Sequence, residues 1–138
     1  MQGQRPVGWW VKRLDELLEE GLDAVVGAEG LTRRHWQVLQ SVVDGPVERA
    51  GLRAALAPFA GPAEVDGAVA DLTGRGWLRD DAGRPAVTDD GRAAHARLAA
   101  AVGAFRRSVA EGLSEEEYAR TVAGLARMVA NLERALGG

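Results

Sequence analysis

Apolar residues recur at helical spacing along most of this chain, and the pattern breaks decisively at one place. Trp10, Leu14, Leu17, Leu18, Leu22 and Val25 fall mainly at three- and four-residue steps, which predicts a first helix over residues 7–26. Its wet side carries Asp15, Glu16, Glu19 and Glu20. After a turn at 27–30, Thr32 is suited to cap a second helix over 32–43. Trp36, Leu39 and Val43 form one apolar row of that helix, and His35, Val38 and Val42 form another, so it is expected to be sandwiched. Asp44-Gly45-Pro46 stops it. A third helix over 47–59 turns Leu52, Leu56 and Phe59 inward and Arg49 and Arg53 outward. A fourth, over 62–73, starts on Pro62 and inserts Val65, Val69 and Leu72. Two short helices joined by a tight turn make a helix-turn-helix.

The break comes at residues 72–98. Gly74 and Gly76 end the fourth helix, Trp77 and Leu78 begin an extended run, Asp81-Ala82-Gly83-Arg84 supplies turn chemistry, and 85–88 returns. A helix that leads into a two-stranded ribbon is chiefly a nucleic-acid-binding arrangement, the ribbon being a wing. Helical spacing resumes over 90–112, where Leu98, Val102, Phe105 and Val109 are expected to be buried. Ser114 and Glu117 then form a capping box, each side chain serving an orphan amide of the next helix. In that last helix Tyr118, Val122, Leu125, Val129, Leu132 and Leu136 alternate at four and three residues, a coiled-coil seam. A helix-turn-helix needs neither terminal helix. The expectation is a homodimer with Tyr118, Leu125, Val129, Leu132 and Leu136 in its interface; in the alternative, a monomeric bundle, the seam closes within one chain.

The fold class is therefore mainly α: a winged helix-turn-helix with a short two-stranded β-wing and long N- and C-terminal dimerisation helices. All 138 residues are expected to form one unit, with the winged helix-turn-helix over 32–92 and dimerisation helices over 7–26 and 90–136. Abundant alanine and scarce β-branched and aromatic residues agree with few strands. Cysteine is absent, which excludes disulfides, thiolate nucleophiles and cysteine-zinc sites. Serine occurs only at Ser41, Ser108 and Ser114, and His35 and His95 fall on separate helices, so no triad or metal set emerges. No enzyme activity, metal or cofactor is expected. The start lacks a basic stretch followed by an apolar run, and nowhere do about 18 apolar residues follow one another. A cytoplasmic protein with no membrane partner is the default expectation.

Four segments, in this order and spacing, resemble the MarR family of winged-helix transcription regulators: GLTRRHWQVLQ at 30–40, LTGRGWL at 72–78, VTDDGRA at 87–93 and GLSEEEYARTVAGLARMVANLERAL at 112–136. The resemblance covers nearly the whole chain. It implies a two-fold dimer that binds a pseudo-palindromic operator in double-stranded DNA and is released by a small aromatic or anionic effector, commonly as a repressor. Two features depart from the family pattern. The fourth helix offers Glu64, Asp66 and Asp71 against the single Arg75, and the wing is short, with Arg84 its one basic residue near the tip. Over residues 46–92, six arginines face eight acids, a balance of −2.

Candidate chemistry falls in two places. For DNA, the fourth helix is expected to enter the major groove by its N-terminal end, at Pro62 and Ala63, where main-chain amides attract phosphate. Glu64 or Asp66 would accept from a cytosine amino group, Arg49, Arg53 and Arg75 would meet phosphates, and Arg84 would enter the minor groove. For an effector, Trp9, Trp10, His35 and Trp36 concentrate indole and imidazole rings at the junction of the first, second and fifth helices, which holds the pocket in the resembled family. The alternative function is a dimeric winged-helix module whose DNA surface has degenerated and which binds a small molecule or a protein.

Overall fold

Element ends follow the local chemistry closely. In the computed structural model, which describes residues 5–137, the order is α1 (Val7–Gly27), α2 (Arg33–Val42), α3 (Arg49–Leu56), α4 (Pro62–Gly74), β1 (Leu78–Asp81), β2 (Arg84–Val87), α5 (Asp89–Val109) and α6 (Glu115–Gly137). The architecture is mainly α with one antiparallel pair of strands, a winged helix-turn-helix flanked by long helices. Two compact units result: one runs to Phe105, and the other begins at Arg106.

In the first unit, α2 is the central element. Trp36, Val38, Leu39 and Val42 on its several faces are all buried, packed among Leu22 and Val26 of α1, Leu52 and Leu56 of α3, Val65, Val69 and Leu72 of α4, and Leu98 and Val102 of α5. Each large aliphatic side chain taken fully out of water contributes about 2 kcal/mol, so this contact between α2 and its neighbours is what seats α4. Leu78 of β1 and Val87 of β2 close the same core from the wing.

The wing is a two-residue hairpin. Leu78 pairs with Val87 and Asp81 with Arg84, leaving Ala82 and Gly83 at φ +52° and +86°. Both central residues with positive φ define the type I′ turn, whose twist matches the strands. Asp80 accepts a hydrogen bond from the Gly83 amide at 3.2 Å and holds the turn. The link between α2 and α3 also joins the ribbon, because the Val47 amide donates to the Pro85 carbonyl at 3.3 Å.

The return from the wing is fixed by Thr88 and Gly91. Thr88 donates its hydroxyl to the Gly76 carbonyl at 2.6 Å and accepts the Gly91 amide at 3.0 Å, while its own amide donates to the Trp77 carbonyl. A Cβ on Gly91 would lie 2.1 Å from the Trp77 carbonyl oxygen, so only glycine lets α5 approach this closely.

Three expectations about packing require correction. The third helix is shorter than predicted, because Val47 is drawn onto the wing and the helix stops at Leu56; Phe59 lies beyond it, exposed. Val109 ends α5 exposed rather than buried. In α1 the predicted apolar row splits: Leu22 is buried and Leu18 and Val25 are half-buried, whereas Trp10, Leu14 and Leu17 are each about two-fifths exposed; Val26, outside that row, is buried. In the second unit, Ser114 and Glu117 form the expected capping box at 3.0 and 2.9 Å, and α6 buries no side chain: along its seam Tyr118, Val122, Val129, Leu132 and Leu136 are exposed and Leu125 is half-buried.

Candidate nucleic-acid interface

The N-terminal end of α4 is presented outward by its own sequence. Gly61 is extended, Pro62 takes the first helical turn, and Pro62, Ala63 and Glu64 are exposed while Val65 anchors the next position in the core. Every acid of this helix is engaged by a base from α2 or α3. Glu64 accepts from Arg34 at 2.9 Å, and Arg34 also reaches Glu19 of α1 at 3.2 Å. Asp66 takes a two-pronged grip from Arg53, 2.9 Å for each hydrogen bond. Asp71 accepts from His35 Nε2 at 2.9 Å. The Arg53 hydrogen bonds, and secondarily its charge, hold the Asp66 carboxyl below the ordinary carboxylate range, and Asp66 raises the Arg53 guanidinium in turn.

The four candidate arginines have separate fates. Arg49 makes no side-chain hydrogen bond or ion pair among the described residues, and it adds to the field that keeps Asp66 ionised. Arg53 is the fork on Asp66. Arg75 is turned away to the loop before α2, donating to the Gly30 carbonyl at 3.3 Å and lying 5.1 Å over the Trp77 ring. In the free chain the guanidinium thus braces the α1–α2 turn against the exit of α4, while the residue stays exposed. Arg84 bonds Asp81 across the wing turn at 3.3 Å, an exposed pair of small worth that leaves the side chain near the tip.

The four residues expected to share an effector pocket fall in three places. Trp9 and Trp10 meet edge to face at 4.7 Å near the start of α1, with Arg5 over the Trp9 ring at 4.1 Å. Trp10 precedes the first buried residue of its helix, Leu22, by twelve residues, about 18 Å at the helical rise of 1.5 Å. Trp36 is only 5% exposed and stacks on His95 at 5.2 Å, which in turn donates to Gln40 at 2.5 Å. His35 spends both nitrogens internally. Nδ1 accepts the Thr32 amide at 2.9 Å, so Nε2 carries the proton that goes to Asp71. In the free chain, then, the imidazole caps α2 and the Trp36 indole belongs to the core, apart from the exposed indoles of α1.

Sequence reasoning missed two participants. Arg34 links α1, α2 and α4 through contacts 15 and 30 residues away, which no local spacing announces. His95 covers the Trp36 face from α5, a ring pairing that no local spacing announces. A cleft of about 540 Å³ opens beside Arg33 and Arg34, walled by Asp15, Glu16, Glu19, Glu20 and Asp23 of α1 and by Pro58 and Phe59. Five carboxylates against two guanidiniums make it unsuited to an anion. Among the described residues, no group of three or more His, Asp or Glu side chains is placed to hold a metal ion, and no helix is long and apolar enough to cross a membrane.

No family model matches the chain, and no curated relative does. Solved structures match over nearly the full length. BpsR of Bordetella bronchiseptica, described for regulation of its DNA binding by 6-hydroxynicotinic acid, superposes with a TM-score of 0.76 at 22% identity, covering 90% of this chain and 94% of its own. The MarR family protein Rv2887 of Mycobacterium tuberculosis in complex with DNA gives 0.74 at 21% identity over 91% and 98%. CouR of Rhodococcus jostii bound to p-coumaroyl-CoA gives 0.73 at 20% over 93% and 89%.

Proposed function

We propose that this chain, which has the MarR-type winged-helix fold, is a homodimeric, ligand-responsive DNA-binding transcription regulator, acting as a repressor on a pseudo-palindromic operator. The observation that carries the reading is the exposed N-terminal end of α4, on a helix seated on α2 and followed by a two-stranded wing. Behind Pro62, which carries no N–H, the Ala63 amide at the start of α4 would meet a phosphate, with Arg49 and Arg53 beside it on α3 and Arg84 entering the minor groove from the wing. Support for an effector comes from BpsR and CouR, whose ligands are small aromatic acids or their thioesters. Support for a dimer comes from the apolar faces that α1 and α6 each expose, Trp9, Trp10, Val11, Leu14 and Leu17 on one, Val129, Leu132 and Leu136 on the other.

Sedimentation together with a mobility-shift series on the DNA upstream of its own coding sequence tests this reading. A two-chain mass and a discrete shifted band, lost on adding one of a panel of aromatic acids, are expected. A one-chain mass at micromolar concentration would remove the dimer, and no specific band at any salt would remove the regulator.

A second reading has one observation in its favour: α4 carries no Arg or Lys, and its three acids engage Arg34, Arg53 and His35 of the neighbouring helices, so it offers a phosphate no cation of its own. In that reading the dimer keeps the fold to bind a small molecule or a protein. It predicts a melting temperature raised by a ligand and unmoved by duplex DNA.

A further inference from the structure

The functional reading gives Arg53 to a phosphate, yet in the free chain that guanidinium is paired with Asp66. Its two hydrogen bonds, each 2.9 Å, join a cation of α3 to a carboxylate in the second turn of α4, and both side chains remain about two-fifths exposed. A guanidinium fork binds a carboxylate and a phosphate in the same bidentate geometry. The partner that holds Arg53 in the free protein is therefore a stand-in for the one it would meet on a DNA backbone.

We propose that Asp66 is a positioning and specificity-determining residue for DNA: it occupies the Arg53 fork and releases it only to a phosphate placed squarely in that fork. The inference rests on the DNA-binding reading above. On loosely docked, non-cognate DNA the phosphate does not reach the geometry that a bidentate exchange requires, so the pair stays closed and Arg53 adds nothing. On a cognate site, docking of α4 fixes the backbone, and the fork passes from carboxylate to phosphate. Arg49, one turn earlier and without an ion pair among the described residues, helps keep Asp66 ionised and remains as the unlatched phosphate contact. Glu64 is held by Arg34, so Asp66 is the acid of this helix whose release frees a candidate phosphate ligand of α3. Neutralising Asp66 without changing its shape should hand Arg53 to any duplex.

The test uses the full chain and a short random-sequence duplex, followed by fluorescence anisotropy across a salt series, in four proteins: wild type, Asp66→Asn, Arg53→Ala and the double variant. Asp66→Asn should bind this non-cognate duplex roughly two- to fivefold tighter at low salt, as expected for releasing one exposed ion pair. Its slope of log affinity against log salt should steepen by about 0.9, the value for one more phosphate neutralised. In the Arg53→Ala background the same substitution should lose most of both effects. A gain of equal size in both backgrounds would show simple charge removal and overturn the latch. So would an unchanged or weaker Asp66→Asn, the latter being the behaviour of a carboxylate that reads a base. Should none of the four proteins bind the duplex or the upstream DNA at low salt, the DNA reading itself fails and the latch with it, an outcome distinct from wild-type binding without a variant effect.

Discussion

At the scale of single residues, two backbone positions set the wing and its exit. Ala82 occupies a left-handed conformation at φ +52° in the first central place of the hairpin turn, where an L side chain other than Asn or Asp is disfavoured. Ala82→Asn is expected to stabilise the protein by up to about 1 kcal/mol, read as a rise in the denaturant midpoint with an unchanged slope. Gly91 is the opposite case. A methyl group there meets the Trp77 carbonyl at 2.1 Å and Val87 Cγ2 at 2.8 Å, both held in place, one by the backbone and one by the core. Gly91→Ala is expected to cost about 1–3 kcal/mol, and a midpoint equal to wild type would show that α5 can shift away freely. His35 also belongs to this scale: its imidazole ties the start of α2 to Asp71 of α4, a role invisible in sequence because Asp71 is 36 positions away.

Among the elements, α6 gives the clearest link between local chemistry and pH. Hydrogen bonds donated to its carboxylate by the Ser114 amide, and secondarily by the Ser114 hydroxyl, hold Glu117 below the ordinary glutamate range. A depressed carboxyl contributes its stabilisation above the unfolded value and loses it as pH falls through the lower folded one. The Ser114 amide resonance should therefore titrate with a midpoint below that of an unhindered glutamate, and a midpoint at the ordinary value would mean the box is open. Ser114→Ala should fray the first turn of α6, at a cost of about 0.5–2 kcal/mol. Sequence spacing was a good guide wherever one local signal decided the outcome: Pro62 at the start of α4, the Ser114 box, the hairpin at 82–83, the four buried positions of α2. It failed where a distant partner decided. Val47 left the third helix for the Pro85 carbonyl, and Phe59 fell outside the core when that helix shortened. The candidate DNA residues were legible as residue types, but their pairing was not, since Arg34–Glu64 and Arg53–Asp66 join different helices.

For the whole molecule, the account depends on two copies of the chain. Leu132 lies in the exposed seam of α6 and contributes nothing to a core within one chain, being 59% exposed. Leu132→Glu should leave the helical content intact and shift the sedimentation equilibrium to one chain; retention of the dimer would exclude this seam from the interface. A symmetric pair would set its two α4 ends about 34 Å apart, one turn of B-form duplex. The acid–base matching over α4 predicts a modest dependence of binding on salt, because few phosphates are neutralised. Hydroxyl-radical footprinting of the DNA upstream of its own coding sequence decides whether two α4 ends dock on one site. Two protected patches are expected on one face of the duplex, related by two-fold symmetry and centred about 10 base pairs apart. A single isolated patch, or uniform cleavage at saturating protein, would contradict paired docking.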